Sequence, residues 1–267
     1  MVPLFRWAGS KRKLLDEIKT RLPERFGTYH EPFCGSACLF FDLLPSSASL
    51  SDMNEELINA YQQIQHCPEN VWEVLRSYQV SKEVYYELRA IDESNLSNPA
   101  RAARFIYLNR LCFNGVYRTN NAGKFNVPMG TKTGKMPTLD MLQSYSIALR
   151  NVSLSSGDFT SSQIKVEAGD LVYVDPPYAK PESRRRGEYG PNSFRYEDIS
   201  RLIEFLSMVE SKGATFVLSY SDCEIIRTAL KKEWCTQKVS VRRHVAGFNA
   251  HRNVVEEILV TNCAPIR

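Results

Sequence analysis

Long hydrophobic runs are missing from this chain of 267 residues. No stretch approaches the roughly 18–20 apolar residues that cross a bilayer as a helix. The N-terminus also lacks the apolar core of an export signal, so a cytoplasmic protein with no membrane partner is expected. Cysteine is sparse and irregular: seven residues, an odd number. Cys34 and Cys38 stand four apart, yet no second Cys or His pair completes a zinc set. The four histidines (His30, His66, His244 and His251) are scattered without ligand spacing. Neither a disulfide scaffold nor a metal centre is expected, and the thiols read as reduced and mostly buried. An excess of charge of one sign is nearly lacking too, with 34 Lys and Arg against 30 Asp and Glu. A net charge of +4 with pI about 8.6 permits a polyanionic partner but does not demand one. Internal repeats and low-complexity tracts are absent. The composition is that of an ordinary globular protein. Its length allows roughly 70–75% of the unfolded surface to be buried, in one large domain or one domain carrying an insertion.

What is present is concentrated at Asp175-Pro176-Pro177-Tyr178. The preceding Leu171-Val172-Tyr173-Val174 reads as a buried strand. Two prolines can neither extend a sheet nor continue a helix, so the strand ends there. An acid then stands at the strand's carboxyl end with a ring three residues on, at the edge where open α/β sheets bind ligands. A carboxylate, a proline carbonyl and a flat ring suit a planar amine: the two oxygens accept its hydrogens and the ring stacks on its face. A plain Pro-rich turn would explain Pro-Pro alone; the whole tetrapeptide after a strand favours the functional reading.

Strand and helix signals alternate elsewhere. Residues Tyr29 to Phe33, Ala48 to Ser51, Val152 to Ser155 and Thr215 to Ser219 read as strands. Helices fit Ala37 to Leu44, Glu55 to Gln65, Leu139 to Arg150, Glu197 to Ser211 and Glu224 to Lys231. Lys238 to Val245 and Val254 to Thr261 read as an antiparallel pair. Between residues 68 and 112, three segments carry helical spacing: Val71 to Tyr78, Lys82 to Ile91 and Ala100 to Leu111. Val116 to Pro128 reads as two extended pieces around an Asn120-Asn121-Ala122-Gly123 loop. The pattern predicts an α/β sheet interrupted by a mainly helical insertion with one β-hairpin. The insertion is placed at residues 56–137, between 1–55 and 138–267.

Further constellations lie at predicted strand ends. In Glu31-Pro32-Phe33-Cys34-Gly35-Ser36, Gly35 permits a tight turn and close approach to a ligand. About 19 residues after Phe33, Asp52 ends the second strand and suits a nucleoside's ribose hydroxyls; a helix N-cap is the competing role. Arg6-Trp7-Ala8-Gly9-Ser10-Lys11, taken alone, reads as structural. Asn109 to Arg118 and Gly123 to Pro128 interleave arginines, asparagines and aromatics, which suits nucleic acid, though an exposed charged loop has the same composition. Arg184-Arg185-Arg186 reads as a solvated loop, with phosphate contact a less specific alternative.

Together these pieces resemble the Dam-type, alpha-group DNA adenine-N6 methyltransferases. Trp7-Ala8-Gly9-Ser10-Lys11 is similar to the family's N-terminal cofactor motif, Glu31 to Gly35 to its methionine loop, and Ser51-Asp52-Met53-Asn54 to its ribose-binding acid. Tyr107-Leu108-Asn109-Arg110 through Arg118, then Phe125 to Pro128, resembles a block peculiar to the family. Asp175 to Tyr178 resembles its catalytic motif, and Val241-Arg242-Arg243 with Glu256-Glu257-Ile258-Leu259 its closing hairpin. The resemblance implies a Rossmann-like class I methyltransferase sheet closed by an antiparallel hairpin, with residues 56–137 as the DNA-recognition domain. It implies S-adenosyl-L-methionine as cofactor, held by Trp7, Lys11, Gly35, Asp52 and Asp175, with Asp158 and Phe159 beside its adenine. It implies double-stranded DNA as partner. Arg118 would read guanine, Phe113 would insert into the duplex, Asn114, Val116 and Pro128 would contact neighbouring bases, and Arg6 would reach an outer guanine. Asp175, Pro176 and Tyr178 would be catalytic. The chain departs from the pattern at three points: Ala37 stands for a second glycine, Phe113 for tyrosine and Arg6 for lysine.

The implied reaction is methyl transfer to N6 of an adenine flipped out of the duplex, in a GATC palindrome, without a metal. A restriction endonuclease partner and a prokaryotic or phage origin are consistent with the family. Cytosine-N4 and RNA adenine methyltransferases usually begin the tetrapeptide with Ser or Asn, against Asp175 here. A catalytically silent DNA-binding regulator on the same fold is the alternative from another class.

Overall fold

The computed structural model describes residues 1–120, 123–161, 164–179, 194–242 and 254–263. Of the sequence expectations, Asn121 and Ala122 in the hairpin loop, the Arg184-Arg185-Arg186 run, Arg243, His244, His251 and the end of the strand expected to reach Val245 lie outside these residues. The strands are β1 (Tyr29–Glu31), β2 (Ala48–Asp52), β3 (Val152–Ser156), β4 (Leu171–Val174), β5 (Thr215–Ser221), β6 (Cys235–Arg242) and β7 (Val254–Thr261). The helices are α1 (Leu15–Lys19), α2 (Cys38–Leu43), α3 (Glu55–His66), α4 (Pro68–Ser77), α5 (Lys82–Ala90), α6 (Asn98–Leu111), α7 (Leu139–Leu149), α8 (Glu197–Ser211) and α9 (Glu224–Ala229).

The strands form one seven-stranded sheet in the order β3-β2-β1-β4-β5-β7-β6. β3, β2, β1, β4 and β5 run parallel, whereas β7 pairs antiparallel with β5 and β6. This is the Rossmann-like methyltransferase sheet with its antiparallel closure. Parallel strands are buried on both faces, which is why β4 reads as a continuous apolar run. Alternate residues feed two separate cores. Leu171, Tyr173, Val217 and Leu259 join a cluster with side chains from α1 to α7. Val172, Val174, Phe216 and Leu218 join a second with α8 and α9. The first cluster runs without a break from Leu39 and Leu50 through Tyr61, Val71 and Phe105 to Val127.

Two consequences position the site. First, β1 pairs with β2 on one side and β4 on the other, so the strand order reverses there and opens a crevice at the carboxyl edge. Second, five parallel strands deliver their carboxyl ends to that one edge. Phe33 to Gly35, Asp52, Asp158 and Asp175 all follow such ends, although they are spread over the sequence.

Residues 112–120 and 123–130 form a compact excursion rather than a regular hairpin. Isolated bridges join Thr119 to Phe125 and Cys112 to Met129. Phe125 and Val127 are buried in the first core, and Tyr85 donates its hydroxyl to the Val127 carbonyl (2.9 Å). Docking of this return segment on the helices competes with a longer ladder.

Candidate active site

The carboxyl edge opens into a cleft of about 1190 Å³. The loop after β1 forms one wall. Gly35 has φ +45°, and a Cβ there would lie 2.6 Å from Trp7 Cδ1. The indole therefore rests directly on the glycine, with Tyr117 stacked on it at 5.6 Å and 18° and Phe105 tilted against it at 6.5 Å. Gly35 N–H donates to Asp52 Oδ2 (3.0 Å), and Tyr61 donates its hydroxyl to the Gly35 carbonyl (3.0 Å). Loop and acid are thus tied together.

Asp52 Oδ1 also accepts from Asn54 N–H (3.0 Å). The N-cap of α3 is Asn54, whose side chain accepts from Leu57 N–H. This removes the competing role for Asp52 and leaves its carboxylate on the cleft wall. Burial pushes the Asp52 carboxyl up, against the lowering effect of the two N–H donors. Ala37, at the position of the family's second glycine, adopts φ +48° at the start of α2. The backbone keeps the left-handed turn although the residue is not glycine, a conformation costing roughly 1–2 kcal/mol for an L-residue.

Asp158 and Phe159 form a second wall beyond β3. Phe159 packs on Phe33 with ring centroids 5.1 Å apart. Asp158 Oδ1 accepts from Thr160 N–H (2.9 Å) and from Arg201 Nη2 (2.6 Å). Burial raises the Asp158 carboxyl, but these donors and the Arg201 charge outweigh it and hold it below the ordinary range. Arg201, on α8, also lies over the Phe159 ring at 5.1 Å.

The floor is the tetrapeptide after β4. Lys11 Nζ donates to Asp175 Oδ1 (2.5 Å) and to the Tyr178 hydroxyl (3.2 Å), and stands 3.7 Å from Glu257 Oε2. Only 5% of Lys11 is exposed. Burial alone would lower the ammonium's pKa; Asp175, Tyr178 and Glu257 outweigh it and hold it above the usual lysine range. Tyr178 packs edge-on against Tyr220 (5.2 Å), and Tyr220 accepts Ala179 N–H (2.9 Å). Beside Asp175, the Glu31 carboxyl is buried and accepts from the Tyr29 hydroxyl (2.8 Å). Burial, more than offsetting that bond, pushes Glu31 up to about 8.

The expected residues therefore fall into two groups. Trp7, Lys11, Gly35, Asp52, Arg118, Asp158, Phe159, Asp175, Pro176 and Tyr178 all line the one cleft. Arg6, Phe113, Asn114, Val116 and Pro128 do not line it; they sit together at the end of α6. Phe113 N–H donates to the Pro128 carbonyl (2.9 Å), and half the Phe113 side chain is exposed. Asn114 is left-handed at φ +54°. A Cβ on Gly115 would lie 2.4 Å from Arg6 Cβ, so Arg6 packs across the turn. Buried Asn109 accepts Arg6 N–H (2.9 Å) and donates to the Arg6 carbonyl (2.7 Å). Arg118 Nε donates to Asn126 Oδ1 (3.2 Å) across the excursion.

Sequence reasoning missed Tyr117, Arg201 and Glu257 as parts of the site. Tyr117 had a local signal, an aromatic beside Arg118. Arg201 and Glu257 gave none, because each reaches the site through tertiary packing. No group of three or more His, Cys, Asp and Glu residues is arranged to hold a metal ion among the described residues.

The family model for the D12 class N6 adenine-specific DNA methyltransferases matches residues 7–245. The Type II methyltransferase M1.LlaDCHI of Lactococcus lactis subsp. cremoris is 37% identical, over 97% of this chain and 95% of that protein. The Type II methyltransferase M.MjaIII of Methanocaldococcus jannaschii is 33% identical, over 97% and 98%. The DNA adenine methylase of Escherichia coli K12 is 32% identical, over 96% and 93%.

Proposed function

This chain belongs to the D12 class of N6 adenine-specific DNA methyltransferases, and from that premise we propose that it methylates an adenine flipped out of double-stranded DNA, using S-adenosyl-L-methionine, at a GATC site. The observation that carries this reading is the meeting of Asp175 and Tyr178 with Gly35 and Asp52 in one cleft.

The cleft fits the cofactor in three respects. Gly35 offers a backbone surface without a Cβ, Asp52 offers a carboxylate for ribose hydroxyls, and Phe33 with Phe159 offers an apolar slot beside Asp158. Trp7 supports the loop, and Lys11 acts on the floor beside Asp175 and Tyr178. When bound, the sulfonium supplies an electrophilic methyl group.

An adenine amine inside a duplex is out of reach, so the base must leave the stack at a cost of about a few kcal/mol. Tyr178 stacking on the extruded base and Phe113 filling the gap offset that cost. The amine's lone pair is delocalised into the ring, which makes nitrogen a poor nucleophile. Asp175 and the Pro176 carbonyl accept its hydrogens and favour a more tetrahedral nitrogen. These bonds strengthen as positive charge grows on nitrogen, so they stabilise the transition state preferentially. Residues 56–137 are assigned to target recognition and 1–55 with 138–267 to catalysis. The division is one of function, since the hydrophobic core crosses it. Four base pairs read at roughly 1–3 kcal/mol each give about 4–12 kcal/mol of discrimination, adequate without a second reading domain.

The test is methylation of random-sequence plasmid with labelled cofactor, followed by single-molecule mapping of modified bases. N6-methyladenine confined to GATC is the expected result. Modification of cytosine refutes the assignment of the base, and modification of adenine elsewhere refutes that of the site. Cofactor binding by calorimetry without any transfer to DNA refutes the assignment as an active enzyme.

A further inference from the structure

We propose that Glu257 is a positioning residue for Asp175, acting through Lys11; the inference rests on the reading of Asp175 as the group that accepts the adenine amine. Glu257 lies on β7, opposite Ser221 at the carboxyl end of β5, and is 0% exposed. Nothing in the packing of a central strand calls for a carboxylate, and a buried charge is costly unless it is paired. Its partners face the catalytic tetrapeptide. Lys11 Nζ is 3.7 Å from Glu257 Oε2, and Ser219 donates its hydroxyl to the same oxygen (3.4 Å).

Lys11 therefore stands between two carboxylates, and the geometry is unequal. Its short bond goes to Asp175 Oδ1 (2.5 Å), with Glu257 behind. Alone, a buried ammonium at that distance would draw the negative charge of Asp175 onto itself and weaken Asp175 as an acceptor. A second carboxylate 3.7 Å from the ammonium shares its field and so leaves more of the negative charge of Asp175 available as an acceptor. It also anchors the lysine to the sheet and, through the lysine, the catalytic carboxylate. Among the described residues, Glu31 from β1, Tyr173 from β4, Cys38 from α2 and Tyr178 from the tetrapeptide also face this floor.

The experiment compares wild type, Glu257→Gln, Lys11→Met and the double variant. Two readouts are used. The first is the titration of Asp175 by carboxyl-carbon NMR in the protein alone, assigned with Asp175→Asn; it requires no activity. In Glu257→Gln the Asp175 midpoint should move to lower pH. In the Lys11→Met background the same change at Glu257 should leave Asp175 where Lys11→Met alone puts it, or nearly so. The second is transfer kinetics. In Glu257→Gln, kcat should fall about ten- to a hundredfold with the cofactor and DNA dissociation constants within about twofold of wild type, and the acid limb of the pH profile should follow the NMR midpoint. Losses in the double variant should not exceed those of Lys11→Met. If Glu257→Gln does not fold, Glu257→Asp keeps the charge one methylene further back and should move the Asp175 midpoint the same way by less. An unmoved Asp175 midpoint in the folded variant overturns the proposal. So do losses that simply add in the double variant. A wild-type protein that shows the NMR coupling but methylates no adenine overturns the proposed function and leaves the coupling standing.

Discussion

Gly35→Ala tests the most constrained contact in the cleft. The new Cβ would meet Trp7 Cδ1 at 2.6 Å and Nε1 at 2.7 Å, about 1 Å inside ordinary carbon–carbon separation. Neither side can yield easily: the indole is stacked on Tyr117, and the glycine's N–H and carbonyl are bonded to Asp52 and Tyr61. Overpacking of this kind costs about 1–3 kcal/mol, and an L-residue at φ +45° about 1–2 kcal/mol. Loss of glycine's extra freedom in the unfolded chain returns about 0.5–1 kcal/mol. The net destabilisation is about 1–4.5 kcal/mol, which lowers Tm by about 2–18 °C in a chain of this size. Thermal melting measures it. Calorimetry with S-adenosyl-L-methionine should show weakened binding as well, because displacement of the loop carries Asp52 with it. Trp7→Ala removes the obstacle, so the double variant should be less destabilised than the two single losses combined, by about 1–3 kcal/mol. Wild-type melting and affinity in Gly35→Ala, or strict additivity with Trp7→Ala, would refute the packing argument.

Asp175→Ala should abolish methyl transfer while largely preserving folding and DNA affinity; full activity removes Asp175 from the mechanism. Arg118→Ala should relax discrimination at one guanine more than it weakens binding overall, measured on a panel of single-base variants; a uniform loss marks a phosphate contact. Asn109→Ala strips two partners from the Arg6 backbone and should cost about 1–3 kcal/mol, read as a lower urea midpoint at unchanged slope. Glu31, pushed up to about 8 in the folded state by burial, contributes stability that is complete below the unfolded carboxyl range and lost as pH rises toward 8. Glu31→Gln should therefore flatten the decline in stability between about pH 5 and 8; parallel profiles for the two proteins would refute the buried-acid assignment.

β4 was legible because a strand buried on both faces reads as an apolar run, whereas β1, β2 and β3 carry Ser, His or acidic residues and were legible through their alternation with helical segments. β1, β2, β3, β4 and β5 all appear at their expected places, within about two residues at either end. Helix starts were less legible where capping chemistry, not apolar periodicity, sets them. α4 begins at Pro68, three residues before Val71, because proline suits the first helical turn. α6 likewise begins ahead of Ala100 with Pro99 in its first turn. β6 starts at Cys235, ahead of Lys238, because Cys235 pairs with Thr261 on β7, information that no local window contains. In the site, the residues following strand ends were legible, since strand topology sends them to one edge. The partners of Lys11 were not. Its bond to Asp175 spans 164 positions, and Lys11 by itself looks like any solvated lysine. The ring beneath Trp7 and the carboxylate behind Lys11 are equally products of tertiary packing.

Charge in the cleft gives these placements a common logic. Asp175 and Glu257 bring two carboxylates toward one ammonium, Lys11, while burial pushes the Glu31 carboxyl beside Asp175 up to about 8. Nine acidic side chains line the cleft against five basic ones, Lys11, Arg101, Arg118, Arg195 and Arg201, so its excess charge is negative, and low-dielectric walls strengthen the field. That sign opposes an anionic phosphate as occupant and favours a cation. A sulfonium donor and an amine that gains positive charge during transfer both match it. Arg118, on the excursion, lines the cleft, whereas Arg6 packs across Gly115 outside it. On the proposed reading, an uncharged base suits such a cleft better than a phosphate would.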